Sequence, residues 1–292
     1  MNSTAGGSST RTVALVGPGR AGTTIALALM EQGHRVVAVA GRAPDSPSTT
    51  AAASCLASET VLVSEVGRGA EIVVIATPDR AIESASTTIA PSLERDALVF
   101  HLAGSRGLDA FARLRELRPD VRVGALHPLQ SFPATSIGLE RLRGAWAAVA
   151  GDDEVSELAR SFGLRPFTLR DDERTRYHAA AVVASNHVVA LLGQVERLAR
   201  SCDVPFEAFA PLVRASVENA FATGPSAALT GPIERGDLAT VERHLATLDA
   251  ADRDAYRALA REAARLTGRR DTGLDRLLGD LRQGATGHDA DL

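Results

Sequence analysis

Histidine side chains interrupt three apolar stretches of this chain. His101 and His127 each end a predicted strand, and His178 lies on a long predicted helix. Because histidine titrates near neutral pH, it can serve as an acid or a base. We expect at least one of the strand-end histidines to face an active site. The alternative is that each is a structural residue whose ring nitrogens are satisfied within the fold.

The helix that carries His178 also carries Ser185 and Asn186. At about 100° per residue, His178 and Ser185 lie almost in line and Asn186 lies about 80° around from His178, so all three can face one cleft. The alternative is that they form hydrogen bonds within a helical core or a dimer interface. We predict His127, His178 and Asn186 as catalytic residues, and Ser105 and Ser185 as substrate-binding residues.

The chain contains no lysine, so all 32 of its Lys and Arg residues are arginine. A lysine Schiff base or lysine proton donor is therefore excluded, and arginine is too basic to donate a proton. Histidine is then the natural proton source. Arg235, in the segment 229–237, is predicted to bind a substrate carboxylate through two hydrogen bonds. The alternative is that this Gly- and Pro-containing segment is only a turn.

A glycine-rich turn follows the apolar run 13–16 and leads into a helix-like stretch, 23–32. Gly17 suits a tight turn, Gly19 lets the backbone approach a pyrophosphate, and Gly22 lets helix and strand pack closely. The N–H groups of the helix N-terminus favour phosphate. We therefore predict that a dinucleotide is bound by Gly17, Gly19, Arg20, Ala21 and Gly22.

The second predicted strand, 35–40, ends at Gly41-Arg42. An NAD enzyme usually carries an acidic residue here for the ribose hydroxyl, whereas Arg42 can bind a 2′-phosphate. This predicts NADP(H) as the cofactor; the alternative is that Arg42 is a solvated loop charge. Thr77 and His101 are expected to contact the cofactor as well, although Thr77 can equally mark the start of a helix.

Apolar and helical segments alternate in the first half and give way to consecutive helices from about Asp171. This pattern predicts an α/β fold, with a Rossmann-type doubly wound parallel sheet followed by an all-helical C-terminal domain. Strands are predicted at 12–16, 35–40, 61–63, 71–76, 97–101, 121–125, 145–150 and 166–169. The predicted domains are a disordered tail at 1–10, an NADP-binding domain at 11–170, a helical substrate and dimerisation domain at 171–285, and a disordered tail at 286–292.

The net charge of −4 exerts no general attraction on nucleic acids or anionic membranes. Cys55 and Cys202 form no CxxC pattern, so neither a disulfide framework nor a metal site is predicted, and a cytoplasmic location is expected. The uncharged stretch 178–195 is at the short limit for a spanning helix of about 20 residues. We expect it to be a helix buried in protein on most sides.

Several motifs together resemble bacterial Rossmann-like proteins whose C-terminal half is a domain of unknown function. The resemblance covers about residues 11–250 and includes GPGRAG, HLAGS, HPLQSF, YHAAAVVASN and LTGPIERGD. That family is similar to the 6-phosphogluconate dehydrogenase-like group, which includes ketopantoate, pyrroline-5-carboxylate and prephenate oxidoreductases. The resemblance implies that NAD(P) binds the first domain and that the helical domain completes the active site and forms a homodimer.

The resemblance also implies a departure in mechanism. Ketopantoate reductases carry a proton-donating lysine one turn before an asparagine; if Asn186 matches that asparagine, the lysine position is Val182. His178, or His127, which resembles the histidine of the prephenate dehydrogenase HP motif, is expected to replace it. The implied activity is hydride transfer from NADPH to a 2-oxo acid, with ketopantoate as the first candidate. The alternatives are reduction of a cyclic imine and an NADP-binding sensor without chemistry.

Overall fold

The structure of the protein is a computed structural model, which describes residues 10–133, 138–268 and 272–279. The predicted tails at 1–10 and 286–292 lie outside these residues, apart from Thr10. The chain divides into two compact units, residues 1–187 and 188–292. This division falls inside the long helix, later than the predicted boundary after residue 170, and the predicted domain boundaries stay predictions.

An eight-stranded sheet forms the centre of the first unit, with the strand order β3-β2-β1-β4-β5-β6-β7-β8. The strands are β1 (Thr12–Val16), β2 (Arg35–Ala40), β3 (Glu59–Thr60), β4 (Ile72–Ile75), β5 (Leu98–His101), β6 (Arg122–Pro128), β7 (Trp146–Gly151) and β8 (Arg165–Thr168). All neighbouring pairs are parallel except β6 and β7. The predicted fold class is confirmed, and the third strand lies slightly earlier than predicted.

Helices cover both faces of this sheet. They are α1 (Arg20–Glu31), α2 (Pro47–Cys55), α3 (Ile82–Ile89), α4 (Ala112–Leu117), α5 (Gly138–Leu142), α6 (Asp153–Ser161) and α7 (Arg174–Val182). Successive residues of a strand point to opposite faces, and β1 shows the result. Leu15 packs in one core with Ile25 of α1, whereas Val16 packs in a second core with Ile82 of α3.

The carboxyl ends of four parallel strands lie together at one edge of the sheet. Val16 of β1 pairs with Ile75 of β4, and Ile75 pairs with His101 of β5. His101 pairs in turn with Ala125 of β6, two residues before His127. Ligands of open α/β sheets bind beyond this edge, so the glycine turn and the strand-end polar residues share the expected binding edge.

The second unit is helical. It contains α8 (Val188–Ser201), α9 (Ala210–Thr223), α10 (Pro225–Ala228), α11 (Pro232–Arg235), α12 (Leu238–Thr247), α13 (Ala250–Thr267) and α14 (Thr272–Leu278). A small core holds α11 to α14 together through Ile233, Val241, Leu245, Ala260, Leu274 and Leu278. The predicted all-helical C-terminal region is thus confirmed.

The long helix predicted from Asp171 is interrupted by a π-helical turn, Val183–His187, between α7 and α8. The expectation that its apolar stretch 178–195 is buried on most sides is wrong, because an 18-residue window of the helix is only 6% buried. Val189 is 69% exposed. By length and composition alone, Asp171–Ser201 could cross a membrane, a test that core helices of soluble proteins also pass. Val183, Val188 and Leu191 are also exposed on this helix, and large exposed apolar patches mark interaction surfaces.

Candidate active site and cofactor turn

The three glycines of the turn after β1 occupy the positions that a dinucleotide site needs. Gly17 has φ +90°, and a Cβ there would lie 2.6 Å from the carbonyl atoms of Ala76. A Cβ on Gly22 would lie 2.6 Å from the carbonyl oxygen of Gly17, so α1 can pack this closely only with glycine. At Gly19 no described atom lies within 4 Å of the Cβ position. The turn is therefore tight at both ends and open in the middle.

The N-terminus of α1 faces this opening without a competing anion. In the described structure no side chain caps this end, and the first turn of α1 carries no acidic residue. The first N–H groups of a helix lack helical acceptors, so those of Arg20 and Ala21 suit a phosphate. The Arg20 guanidinium itself donates to the carbonyl oxygen of Pro133 at 3.0 Å.

Arg42 lies beside the same turn. Pro18 and Thr49 both crowd the preceding residue, because a Cβ on Gly41 would lie 3.2 Å from Pro18 Cγ and 2.0 Å from Thr49 Oγ1. The Arg42 side chain is exposed, and no ion pair of Arg42 is found among the described residues. Arg42 is thus available for a phosphate next to the glycine turn.

Thr77 supplies an unsatisfied hydroxyl at the end of β4. Its Oγ1 is buried and has no hydrogen-bond partner in the described part of the chain. Buried polar atoms are usually hydrogen-bonded, so this hydroxyl suits a bound ligand. Together with the open Cβ position at Gly19, it shows that the residues at this edge fit a dinucleotide.

His101 is fully buried, and both of its ring nitrogens are used by its own loop. Nε2 lies 3.0 Å from the carbonyl oxygen of Gly107, and Nδ1 accepts from the N–H of Ala103 at 3.2 Å. Burial lowers the pKa of His101, which favours the neutral ring that this pairing requires. The side chain therefore shapes the loop after β5, and the predicted cofactor contact would have to come from its main chain.

Ser105 at the end of this loop is tied to β4. Its hydroxyl donates to Oδ2 of Asp79, the second residue after Thr77. The hydroxyl that sequence reasoning assigned to the substrate thus has a protein acceptor. Asp79 thus links the loops after β4 and β5.

His127 and His178 lie together, as the catalytic prediction requires. Their ring centroids are 5.9 Å apart in an edge-to-face arrangement. The loop after β5 passes against both rings at Gly104, where a Cβ would lie 2.7 Å from Cδ2 of His178 and 2.8 Å from Nε2 of His127. A side chain at 104 would displace the imidazoles, so glycine permits the convergence of β5, β6 and α7.

Tyr177 fixes the other side of the His127 ring. The Tyr177 hydroxyl lies 2.8 Å from Nδ1 of His127, and its ring stacks edge-to-face on Phe167 of β8 at 5.8 Å. Burial raises the pKa of Tyr177 to about 12, so the phenol keeps its proton at neutral pH. Burial, together with the neighbouring His178 and Arg174, lowers the pKa of His127 to about 4.

The Tyr177 hydroxyl has no hydrogen-bond acceptor other than Nδ1 of His127 among the described residues, so we assign the phenol as the donor. The neutral imidazole then accepts at Nδ1 and carries its proton on Nε2. The Nε2–H bond lies on the side of Gly104. Because glycine has no side chain, no Cβ atom covers the histidine pair there. His127 is therefore a fixed hydrogen-bond donor at the carboxyl edge of the sheet rather than a cation.

Ser185 and Asn186 do not follow the geometry of a regular α-helix. They lie in the π-helical turn Val183–His187, which changes the angle per residue and the faces on which later side chains lie. Ser185 Oγ donates back to the carbonyl oxygen of Ala181 at 2.6 Å and contacts Asn186 Oδ1 at 2.9 Å. Asn186 is exposed, and its predicted alignment with His178 stays a prediction.

Arg235 lies in the second unit, at the end of α11, and is exposed. Its predicted carboxylate contact stays a prediction. Sequence reasoning missed a different arginine, Arg174, which is completely buried one helical turn before His178. The i, i+4 spacing from Arg174 to His178 was the available signal, because residues four apart lie on one face of a helix.

Comparison with known proteins gives two family matches, one in each half of the chain. Residues 12–104 match the family described as NADP oxidoreductase, coenzyme F420-dependent. The chain is similar to NADP oxidoreductases. Residues 147–263 match a domain of unknown function, DUF2520. The prediction of NADP(H) as cofactor is confirmed by the first match, and the predicted combination of domains by both. No curated protein matches the chain.

Solved structures share the fold. A protein from Bacteroides fragilis assigned as an NADP oxidoreductase is 23% identical, covers 88% of this chain and 98% of its own, and has a TM-score of 0.74. A reductive aminase from Aspergillus terreus in complex with NADPH is 18% identical over 94% of this chain and 100% of its own, with a TM-score of 0.62. A pyrroline-5-carboxylate reductase from Coxiella burnetii is 15% identical over 92% and 98%, with a TM-score of 0.53.

Proposed function

We propose that the protein is an NADPH-dependent reductase of a C=O or C=N bond in a small carboxylic acid. The observation that carries the proposal is the convergence of His127 and His178 at the same sheet edge as the glycine turn. A cofactor site alone needs no histidine pair, whereas reduction of a polar double bond needs a hydrogen-bond donor and a proton.

Each histidine has a separate part in the proposed reaction. Bound NADPH supplies the hydride. The fixed Nε2–H of His127 donates a hydrogen bond to the oxygen or nitrogen that gains negative charge. His178 supplies the proton, because its partner His127, with a pKa of about 4, is neutral at pH 7. Asn186 is proposed to orient the substrate.

The cofactor would be held by the turn Gly17–Gly22, with its phosphates at the N-terminus of α1 and its 2′-phosphate at Arg42. Gly19 leaves space for the backbone approach, and Thr77 offers an unused hydroxyl. These contacts lie on the β1, β2 and β4 side of the edge, and the histidine pair lies on the β6 side. In this proposed binding mode the reacting end of the cofactor extends toward the histidines.

Both substrate classes predicted from the sequence remain in the proposal. Pyrroline-5-carboxylate reductases and a reductive aminase are among the proteins with this fold, which gives a reason to test C=N substrates beside 2-oxo acids. Nothing in the comparisons supports ketopantoate itself. The direct experiment is NADPH oxidation by the purified chain with a panel of 2-oxo acids and cyclic imino acids.

The rival function is an NADP-binding sensor. It predicts tight NADPH binding without oxidation by any compound of the panel. Replacement of both histidines, His127→Gln and His178→Gln, separates the two functions. The reductase loses turnover while keeping NADPH binding, whereas a sensor has no turnover to lose.

We also propose that the protein is a cytoplasmic homodimer. In this dimer the second copy packs against the exposed apolar residues of α8 and α9. Among them Val189 is 69%, Leu212 65% and Phe221 90% exposed. A second copy would remove these side chains from water, and the net charge of −4 gives no attraction to anionic membranes. Light scattering of wild type and Phe221→Asp tests this. A dimer that becomes a monomer supports it, whereas a wild-type monomer or co-sedimentation with neutral vesicles contradicts it.

A further inference from the structure

Arg174 is the largest fully buried side chain of the described chain, at 0% exposure. It is the first residue of α7. Its Nε donates to Oδ1 of Asp171 at 3.2 Å, and the Asp171 side chain is 52% exposed. One edge of the guanidinium is thus anchored to a half-solvated carboxylate.

The other edge of Arg174 is unpaired within the described part of the chain. Both terminal nitrogens, Nη1 and Nη2, are buried and lack a hydrogen-bond partner among the residues that the structure describes. A guanidinium cannot lose its charge in a protein, and buried unpaired charged donors are strongly unfavourable. An arginine in this state needs an acceptor on its Nη side.

The Arg174 side chain lies near the histidine pair, because its charge acts on the ring of His127. Arg174 precedes Tyr177 by three residues and His178 by four, so the three side chains share one face of α7. The field of Arg174 reaches His127, since its charge contributes, after burial and His178, to the lowered pKa of that ring. The Asp79 carboxylate acts in the opposite direction and raises the pKa of His127. It accepts a hydrogen bond from Ser105.

We propose that Arg174 is the carboxylate-binding residue of the substrate site. The two Nη groups of a guanidinium match the two oxygens of a planar carboxylate. A carboxylate bound there lies within about one helical turn of His178, which places the bond to be reduced on the carbon next to the carboxylate. The substrate class is then a 2-oxo acid or an α-imino acid, an assignment that rests on the proposed reductase function.

Oxalate is the probe for this site, because it carries the carboxylate and the adjacent oxygen of a 2-oxo acid but cannot be reduced. Calorimetric titration of the full chain loaded with NADP⁺ compares wild type with Arg174→Met and Arg176→Met. Arg176 is an exposed arginine on the same helix, so its loss changes net charge equally. We expect Arg174→Met to weaken oxalate binding about 30-fold or more and Arg176→Met to leave it unchanged.

If Arg174→Met fails to fold, Arg174→Lys is used instead, because it keeps a buried positive charge. Lysine cannot make the two parallel hydrogen bonds, so about tenfold weaker oxalate binding is expected. Unchanged NADPH affinity of each variant verifies the fold of the cofactor turn. Equal oxalate binding by wild type and either Arg174 variant overturns the proposal, as does loss of binding in Arg235→Met instead, or absence of oxalate binding by wild type.

This titration needs no turnover, so it separates the two proposals. If oxalate binding depends on Arg174 and no compound oxidises NADPH, the anion site stands and the reductase function fails. If a 2-oxo acid or imino acid is reduced with the same KM by wild type and Arg174→Met, the reductase stands and the role of Arg174 fails.

Discussion

The hydroxyl of Tyr177 and Nδ1 of His127 lie 2.8 Å apart, which joins α7 to the end of β6. The contact also determines which ring nitrogen of His127 carries the proton. Because the phenol is the donor, it directs the single proton of the neutral imidazole to Nε2, on the side of Gly104. Tyr177 is therefore a positioning residue for His127.

Tyr177→Phe should change the tautomer of His127 and slow the reaction. The variant keeps the ring that stacks on Phe167 but removes the donor, so the proton can occupy either ring nitrogen. We expect the ¹⁵N shifts of His127 to move toward the values of a mixture of the two tautomers. We also expect kcat to fall about 10- to 100-fold.

A matched control exists in the second unit. The Tyr256 hydroxyl lies 2.9 Å from Nδ1 of His244, so Tyr256→Phe removes the same kind of contact elsewhere. It should alter the ¹⁵N shifts of His244 and leave kcat unchanged. If Tyr177→Phe leaves the His127 shifts at their wild-type values, the tautomer assignment is wrong.

Gly19 and Gly22 should respond differently to alanine. A Cβ on Gly19 meets no described atom within 4 Å and φ is −82°, so Gly19→Ala should keep its free energy of unfolding while weakening NADPH binding about tenfold or more. A Cβ on Gly22 would lie 2.7 Å from Cβ of Ala76, so Gly22→Ala should lose about 1–3 kcal/mol of stability. Denaturant unfolding and NADPH titration measure both effects. Unaltered NADPH binding by Gly19→Ala would place the phosphates elsewhere.

Arg42→Ala should reduce the preference for NADPH over NADH. Loss of a charge-assisted contact to the 2′-phosphate is expected to weaken NADPH binding about 10- to 100-fold and to leave NADH binding unchanged. Arg35→Ala, at the amino end of β2, is the control and should alter the binding of neither cofactor. An equal loss of affinity for both cofactors in Arg42→Ala would contradict a 2′-phosphate contact.

The low pKa of His127 predicts an acid-sensitive fold. Above pH 6.5 the ring is neutral in the folded and unfolded states and contributes no pH dependence. Between pH 6.5 and about 4 only the unfolded chain takes up the proton, so the free energy of unfolding falls with pH by up to about 3 kcal/mol. Below about pH 4 this loss ends.

His127→Gln removes that titration, so its stability should fall less steeply than that of wild type across the same pH range. Chemical denaturation at several pH values gives the comparison. Parallel curves for wild type and His127→Gln would show that folding does not lower the pKa of His127.

The parallel sheet was predictable because its strands are continuous apolar runs ended by polar residues. β1 and β2 have the predicted bounds, and the three glycines have the spacing that their packing demands. The meeting of His127 with His178 was a hypothesis that local pattern alone could not establish. It depends on β6, α7 and the loop at Gly104 coming together from distant parts of the chain.

The remaining site geometry was not predictable for physical reasons. The predicted alignment of Ser185 and Asn186 with His178 assumed 100° per residue, and the local pattern gave no sign of the π-helical turn Val183–His187, where the angle per residue differs. The buried position of Arg174 contradicts the usual exposure of arginine and follows only from tertiary packing. The roles of His101 and Ser105 likewise depend on partners, Gly107 and Asp79, that only the folded loops supply.

Hydride transfer to a carbon beside a carboxylate is tested most directly by incubating the chain with NADPH deuterated at both C4 positions of the nicotinamide and the panel of 2-oxo acids and cyclic imino acids. Mass spectrometry and NMR identify the products. We predict one deuterium on the carbon next to the carboxylate, with turnover lost in His178→Gln. Tight NADPH binding with no deuterium transferred to any compound of the panel would contradict the proposed reaction.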